Sequence, residues 1–174
     1  NLGDVNKSFA IEQNPFAQQE IVKVVEGGTV ILKHWFGDVI EGAISNPTKN
    51  TTYYARTKIW SDANGVKPFW IGFNNHSRSY LTDTPELDSW DNKGSEAFVN
   101  GQRVVPHNWK NAGQQGQSEV PLVDEGYSYR APTMITLKKG WNEVLLKLLV
   151  VEFRGRTWDN PSKWMFTFVP AETK

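Results

Sequence analysis

The chain has 174 residues, 39% hydrophobic and 22% charged, enough for one globular domain with a sizeable core. Nineteen basic residues balance nineteen acidic ones, so the electrostatic footprint of a nucleic-acid-binding protein is missing. The absence of cysteine excludes disulfides, thiolate metal sites and Cys nucleophiles, and no apolar run approaches the ~20 residues that span a bilayer.

Along the chain, residues 1–19 read as a linker or irregular lead-in to a single β-sandwich domain occupying 1–174. Asn1 opens without Met or a signal-peptide stretch, the start expected of a piece cut from something longer. Glu20 to Val25 is short and β-branched and stops at Gly27-Gly28, which predicts a strand. A second is expected over Thr29 to Phe36, followed by a turn at Asn46-Pro47. Thr51 to Trp60 alternates, with Tyr54, Arg56, Lys58 and Trp60 on one side and Tyr53, Ala55, Thr57 and Ile59 on the other. After a turn region at Asp62–Pro68, Phe69, Ile71 and Phe73 repeat that period, and Asn74 to Gly94 reads as a long ordered loop.

Asn100-Gly101 stands between two apolar runs and supplies the φ > 0 pair of a type I′ turn, so a tight hairpin flanked by Phe98 and Val104 is expected. The stretch from Asn108 to Tyr129 is loop-rich. Thr133 to Leu137 then predicts a strand and Lys139-Gly140 a turn. Asn142 to Phe153 is long enough for a helix, but Val144, Leu146, Leu148 and Val150 share one face at period two, which predicts a central strand. Trp164, Phe166 and Phe168 mark the last one. These elements describe an all-β chain, a sandwich or jelly roll of two mainly antiparallel sheets.

Several of these segments also carry a resemblance. Phe69 to Asn75 (FWIGFNN), Ser77-Arg78-Ser79, Trp90-Asp91, Phe98 to Gly101, Lys138 to Lys147 (KKGWNEVLLK) and Lys163 to Phe168 (KWMFTF) form a succession. It resembles the C-terminal β-sandwich region of Bacteroidetes family-20 glycoside hydrolases, the β-N-acetylhexosaminidases. It is similar, more loosely, to the galactose-binding-like jelly rolls attached to many sugar hydrolases. The resemblance spans roughly residues 20–170. It implies a secreted, periplasmic or outer-membrane-surface enzyme acting on N-acetylhexosamine glycans, with this chain as the accessory domain that adjoins its catalytic domain.

The chemistry of that family's active site is not expected here. Its Asp-Glu pair sits on a (β/α)₈ barrel, which needs about 250 residues, and the adjacent pair in this chain, Asp124-Glu125, lies in a Gly-rich loop. No catalytic residue is therefore assigned. His34, His76 and His107 are isolated and lack metal-ligand spacing. Asp83, Asp88 and Asp91 with loop carbonyls could hold a structural calcium, but their spacing matches no defined calcium loop and a solvated acidic loop is the reading preferred, so no cofactor is assigned.

Eight tryptophans and nine phenylalanines serve either a thick aromatic core or a surface that grips flat rings such as sugars. Trp70, Trp141 and Trp164 fall in or beside strand patterns and are expected to pack in the core or on a sheet. Trp90, Trp109 and Trp158 lie in turn-rich segments beside Asn and Asp, and with Arg78 they form the candidate carbohydrate-binding set. Packing beneath a loop is the competing role for Trp90 and Trp109, and an ion pair with Asp91 that for Arg78. Two functions follow: structural support for an adjoining catalytic domain, or a carbohydrate-binding module for N-acetylhexosamine- or galactose-containing glycans. An exposed apolar patch at one edge would favour the first. Exposed indoles in a groove with polar neighbours would favour the second.

Overall fold

The structure, a computed structural model, describes residues 10–17, 20–34, 37–48, 51–77, 85–91, 93–113, 132–150 and 161–171. Within them lie one four-residue helical turn, α1 (Ala10–Gln13), and the strands β1 (Thr29–His34), β2 (Thr51–Ser61), β3 (Gly65–Ser77) and β4 (Glu96–Val99). The second half supplies β5 (Gln102–Arg103), β6 (Thr133–Leu137), β7 (Gly140–Val150) and β8 (Pro161–Pro170). They form two four-stranded sheets, ordered β1-β8-β3-β6 and β2-β7-β4-β5, and all the ladders are antiparallel.

Four of those ladders are nested. β4 pairs with β5, β3 with β6, β2 with β7 and β1 with β8. The chain is thus one long hairpin bent at Asn100-Gly101, with its arms wrapped over to give the two sheets. Eight strands wound in this way make a jelly roll. At the bend, Asn100 has φ 52° and Gly101 φ 76°, the left-handed pair that a type I′ turn requires. Val99 faces Gln102 and Phe98 faces Arg103, while the Val104 N–H donates to the Ala97 carbonyl at 2.8 Å. The expected hairpin is present, one residue tighter than the Phe98–Val104 flanks suggested.

The core follows the alternation. Phe69, Ile71 and Phe73 of β3 and Trp164, Phe166 and Phe168 of β8 face Val144, Leu146 and Leu148 of β7 across the sandwich. Phe69 and Phe168 rings meet at 5.0 Å between centroids. The long apolar run after Asn142 is a strand and pairs with both β2 and β4. Pro68, expected in a turn, lies inside β3. It sits where that strand passes from its β8 neighbour to its β6 neighbour, and strand prolines are confined to such interruptions of the ladder.

One predicted strand is absent: Glu20–Val25 joins neither sheet. Its β-branched residues remain exposed, Val24 at 80%, because β1 hydrogen-bonds instead to Ala43 and Ile44 on its outer side. β-propensity expresses itself only where a ladder edge is within reach.

Of the lead-in, the described residues Ala10–Ala17 pack on a sheet face. By alternation Leu145, Lys147 and Leu149 point away from the core, yet each is at most 5% exposed. The segment Ala10–Ala17 lies across this outer face. Glu12 accepts from Tyr54 Oη at 2.7 Å and pairs with Lys147 Nζ at 2.9 Å. Arg56 donates to the carbonyls of Pro15 and Ala17, and the Phe16 ring lies under Lys58 Nζ, 4.5 Å from its centroid. Burial, and then the bond to Glu12, push the Tyr54 phenol well above its ordinary range. A raised folded-state value protects the fold below the unfolded phenol's pKa of 10.0 and loses that protection as pH rises beyond it. Thermal stability is therefore expected to fall more steeply above pH 10 in the native chain than in Tyr54→Phe; parallel melting curves from pH 9 to 11 would contradict this.

Candidate functional site

Trp90 and Trp109 are positioned by the segment that leads into β4 and the one that follows β5. Both are buried, 2% and 7% exposed. Trp90 closes the end of the sandwich edge-on to Phe73, 5.8 Å between centroids. Trp109 donates its Nε1–H to the Ser89 carbonyl at 2.7 Å and packs on His107 at 4.0 Å. A ring so enclosed presents no face to a ligand. Their place is beneath the loops, the competing role named above. Arg78 and Trp158 lie outside the described residues, as do Asp83, Asp124 and Glu125.

The acidic residues are engaged locally. Asp91 Oδ1 accepts from the backbone N–H of Lys93 at 2.9 Å and of Ser95 at 3.0 Å, and Oδ2 accepts from Ser95 Oγ. This Asx-type closure turns the chain into β4. Asp88 pairs with Arg103, 2.8 Å, and Glu96 holds the same guanidinium. Those two bonds raise the Arg103 pKa further above its already basic value. Among the described residues no three of His, Asp or Glu converge as a metal site would require.

A cavity of about 870 Å³ opens between the β1 and β2 edges, lined by Val30, Leu32, Tyr53, Ala55, Leu148 and Phe166 and bridged by Glu20–Val25. Its walls combine core side chains such as Val30, Leu32, Leu148 and Phe166 with the exposed Glu20–Val25 stretch.

Among the described residues, the most exposed tryptophans lie elsewhere. Trp60 and Trp141 are 56% and 58% exposed and sit directly opposite each other on β2 and β7. Their rings meet at 5.4 Å and 76°, forming a corner of two indole planes. Trp141 thus packs on the sheet surface rather than in the core. Trp60 is pinned by its Nε1–H, which donates to Asp62 Oδ1 at 2.8 Å. Trp141 follows a turn that is locked from below by Asn142, which is fully buried. The Asn142 amide bonds the Lys138 N–H, the Lys138 and Gly140 carbonyls and the Asn100 side chain, all within 3.0 Å. One step along the same face, Lys58 and Glu143 form a half-exposed ion pair at 3.5 Å. The turn bearing Asp62 is tied to the one bearing Lys139 by the Lys139 N–H on Asn64 Oδ1, 2.7 Å.

Alternation placed Trp60 on one side of its strand with Tyr54, Arg56 and Lys58, but its pairing with Trp141 depends on a register that no local pattern reports. Set against known proteins, the chain matches no family model, no curated protein and no solved structure.

Proposed function

We propose that this chain is a non-catalytic accessory jelly roll, galactose-binding-like, that supports the adjoining catalytic domain of a secreted family-20-type glycoside hydrolase. The observation that carries this reading is what the residues behind the resemblance do in the fold. Phe69, Ile71, Phe73, Trp164, Phe166 and Phe168 fill the core; Asp91 closes the loop before β4; Asn100 and Asn142 bind each other beneath two turns. A motif set used for building a scaffold suits a module whose task is to be rigid. The outer face of the β3/β6 pair also bares Val66 and Met134, 55% and 59% exposed, at the sheet's edge. That is the kind of apolar patch a neighbouring domain would cover.

The test is hydrolysis. The purified chain is expected to leave aryl N-acetyl-β-glucosaminides intact, since a two-carboxylate glycosidase needs a pocket that keeps one acid protonated. Turnover that disappears in an Asp124→Ala/Glu125→Ala double variant would overturn the accessory reading.

A further inference from the structure

We infer that the corner formed by Trp60 and Trp141 is a carbohydrate-binding site, taking a neutral oligosaccharide of pyranose rings with equatorial substituents. The carbohydrate-binding alternative thereby moves from the buried Trp90 and Trp109 to the exposed pair on β2 and β7. The proposal stands on the geometry of this corner and does not need the accessory role.

Three observations bear on it. First, both indoles are more than half exposed although each touches the other. Indole faces left in water are a cost unless something apolar covers them, and a pyranose with equatorial hydroxyls offers a C–H face of matching size. At 76° to each other, one ring can lie under the sugar while the other meets its edge. Second, the corner is built before any ligand arrives. Trp60 is held by Asp62, and the turn before Trp141 is held by the four bonds of Asn142, so little side-chain freedom remains to be lost on binding. Third, the surrounding charges are of both signs. Lys58 pairs with Glu143, and Asp62 stands on one of the two joined turns with Lys138 and Lys139 on the other. Such a rim can bond hydroxyls and amides without favouring a charged ligand.

The same patch is poorly suited to a protein partner. Two half-exposed indoles supply on the order of 250 Å² of aromatic surface, against the roughly 800 Å² each partner contributes to a stable interface. Here the rings give way to charged side chains two residues along either strand, at Lys58 and Glu143.

The experiment is a titration of the isotope-labelled chain with chitotriose and, separately, cellotriose, following the indole N–H resonances. Saturable shifts confined to Trp60 and Trp141 are expected, with a dissociation constant around millimolar, while Trp90 and Trp109 stay still. Trp141→Ala should weaken binding at least tenfold, and Trp141→Tyr should retain most of it. Both positions are exposed, so the variants' melting curves should match the native one and separate loss of binding from loss of fold. The absence of any saturable shift up to about 10 mM, or binding that survives Trp60→Ala/Trp141→Ala, would overturn the proposal. So would a concentration-dependent shift of the same resonances without sugar, which would identify the corner as a self-association surface. None of these outcomes touches the hydrolysis test, so the two readings fail separately.

Discussion

Glu12→Ala is expected to destabilise the fold by about 3 kcal/mol, a large loss for a residue in an irregular lead-in. The reason is where its partner sits. The Lys147 side chain is only 7% exposed and belongs to β7, which has a strand on each side, so it cannot swing into water when Glu12 is gone. An ammonium that loses the carboxylate 2.9 Å away at such a site keeps most of its desolvation cost with less to offset it. Glu96 faces Lys147 from β4, but its carboxylate is already held by Arg103 at 2.6 Å. The reverse substitution is expected to cost less. In Lys147→Ala the Glu12 carboxylate keeps its bond from Tyr54 Oη and stands on Ala10–Ala17, which can lift from the sheet and rehydrate. Replacing both, Glu12→Leu with Lys147→Met, should recover much of the loss, since a packed apolar pair avoids the desolvation altogether. Urea unfolding of the three variants measures this. A Glu12→Ala cost below about 1 kcal/mol, the range of an exposed ion pair, would mean that the segment is not docked in solution.

Asn142→Ala should cost a similar amount, about 3 kcal/mol, or on the order of 10 °C in melting temperature for a domain of this size. The side chain is 0% exposed and satisfies an N–H, two carbonyls and another amide at once. Alanine would leave those groups buried without partners, and each such loss costs about 1–3 kcal/mol before relaxation. The damage should also spread. Asn100 Oδ1 accepts from the Glu143 N–H at 3.1 Å while its amide donates to Asn142, so the β4–β5 hairpin loses an anchor to β7. Asn142→Asp keeps the acceptor bonds but loses the donors and buries a charge, and it should do no better. Differential scanning calorimetry on Asn142→Ala decides the matter: a melting point within 2 °C of native, less than about 1 kcal/mol, would show that water replaces the amide without penalty.

Both predictions rest on features unevenly visible in the chain itself. Alternation alone placed Val144, Leu146 and Leu148 together on the core face, and an Asn-Gly pair alone placed the hairpin, because strand faces and turn dihedrals are properties of neighbouring residues. The same alternation put Leu145 and Leu149 on the opposite face with Glu143 and Lys147, where two leucines signal a covering segment without saying which one. Only the packed structure shows Ala10–Ala17 in that place. Asn142 was visible as the start of a strand; that its amide joins two turns is a fact of register between residues 42 positions apart.

The tryptophans divide on the same line. A tryptophan in a turn-rich segment is equally suited to meeting a ligand and to plugging the end of a sandwich. For Trp90 the choice was made by Phe73, 17 residues earlier in the chain and across the core from β4's approach. For Trp60 and Trp141, the described part of the covering segment reaches Lys58, where Phe16 lies, and the next pair on that face is more than half exposed. Periodicity and turn chemistry, both local, determined the strands and the class of fold. Which strands pair, in what register, and what lies over each outer face are set by contacts between distant parts of the chain. Burial depends on those contacts, and so the surface available for binding was decided by the tertiary structure alone.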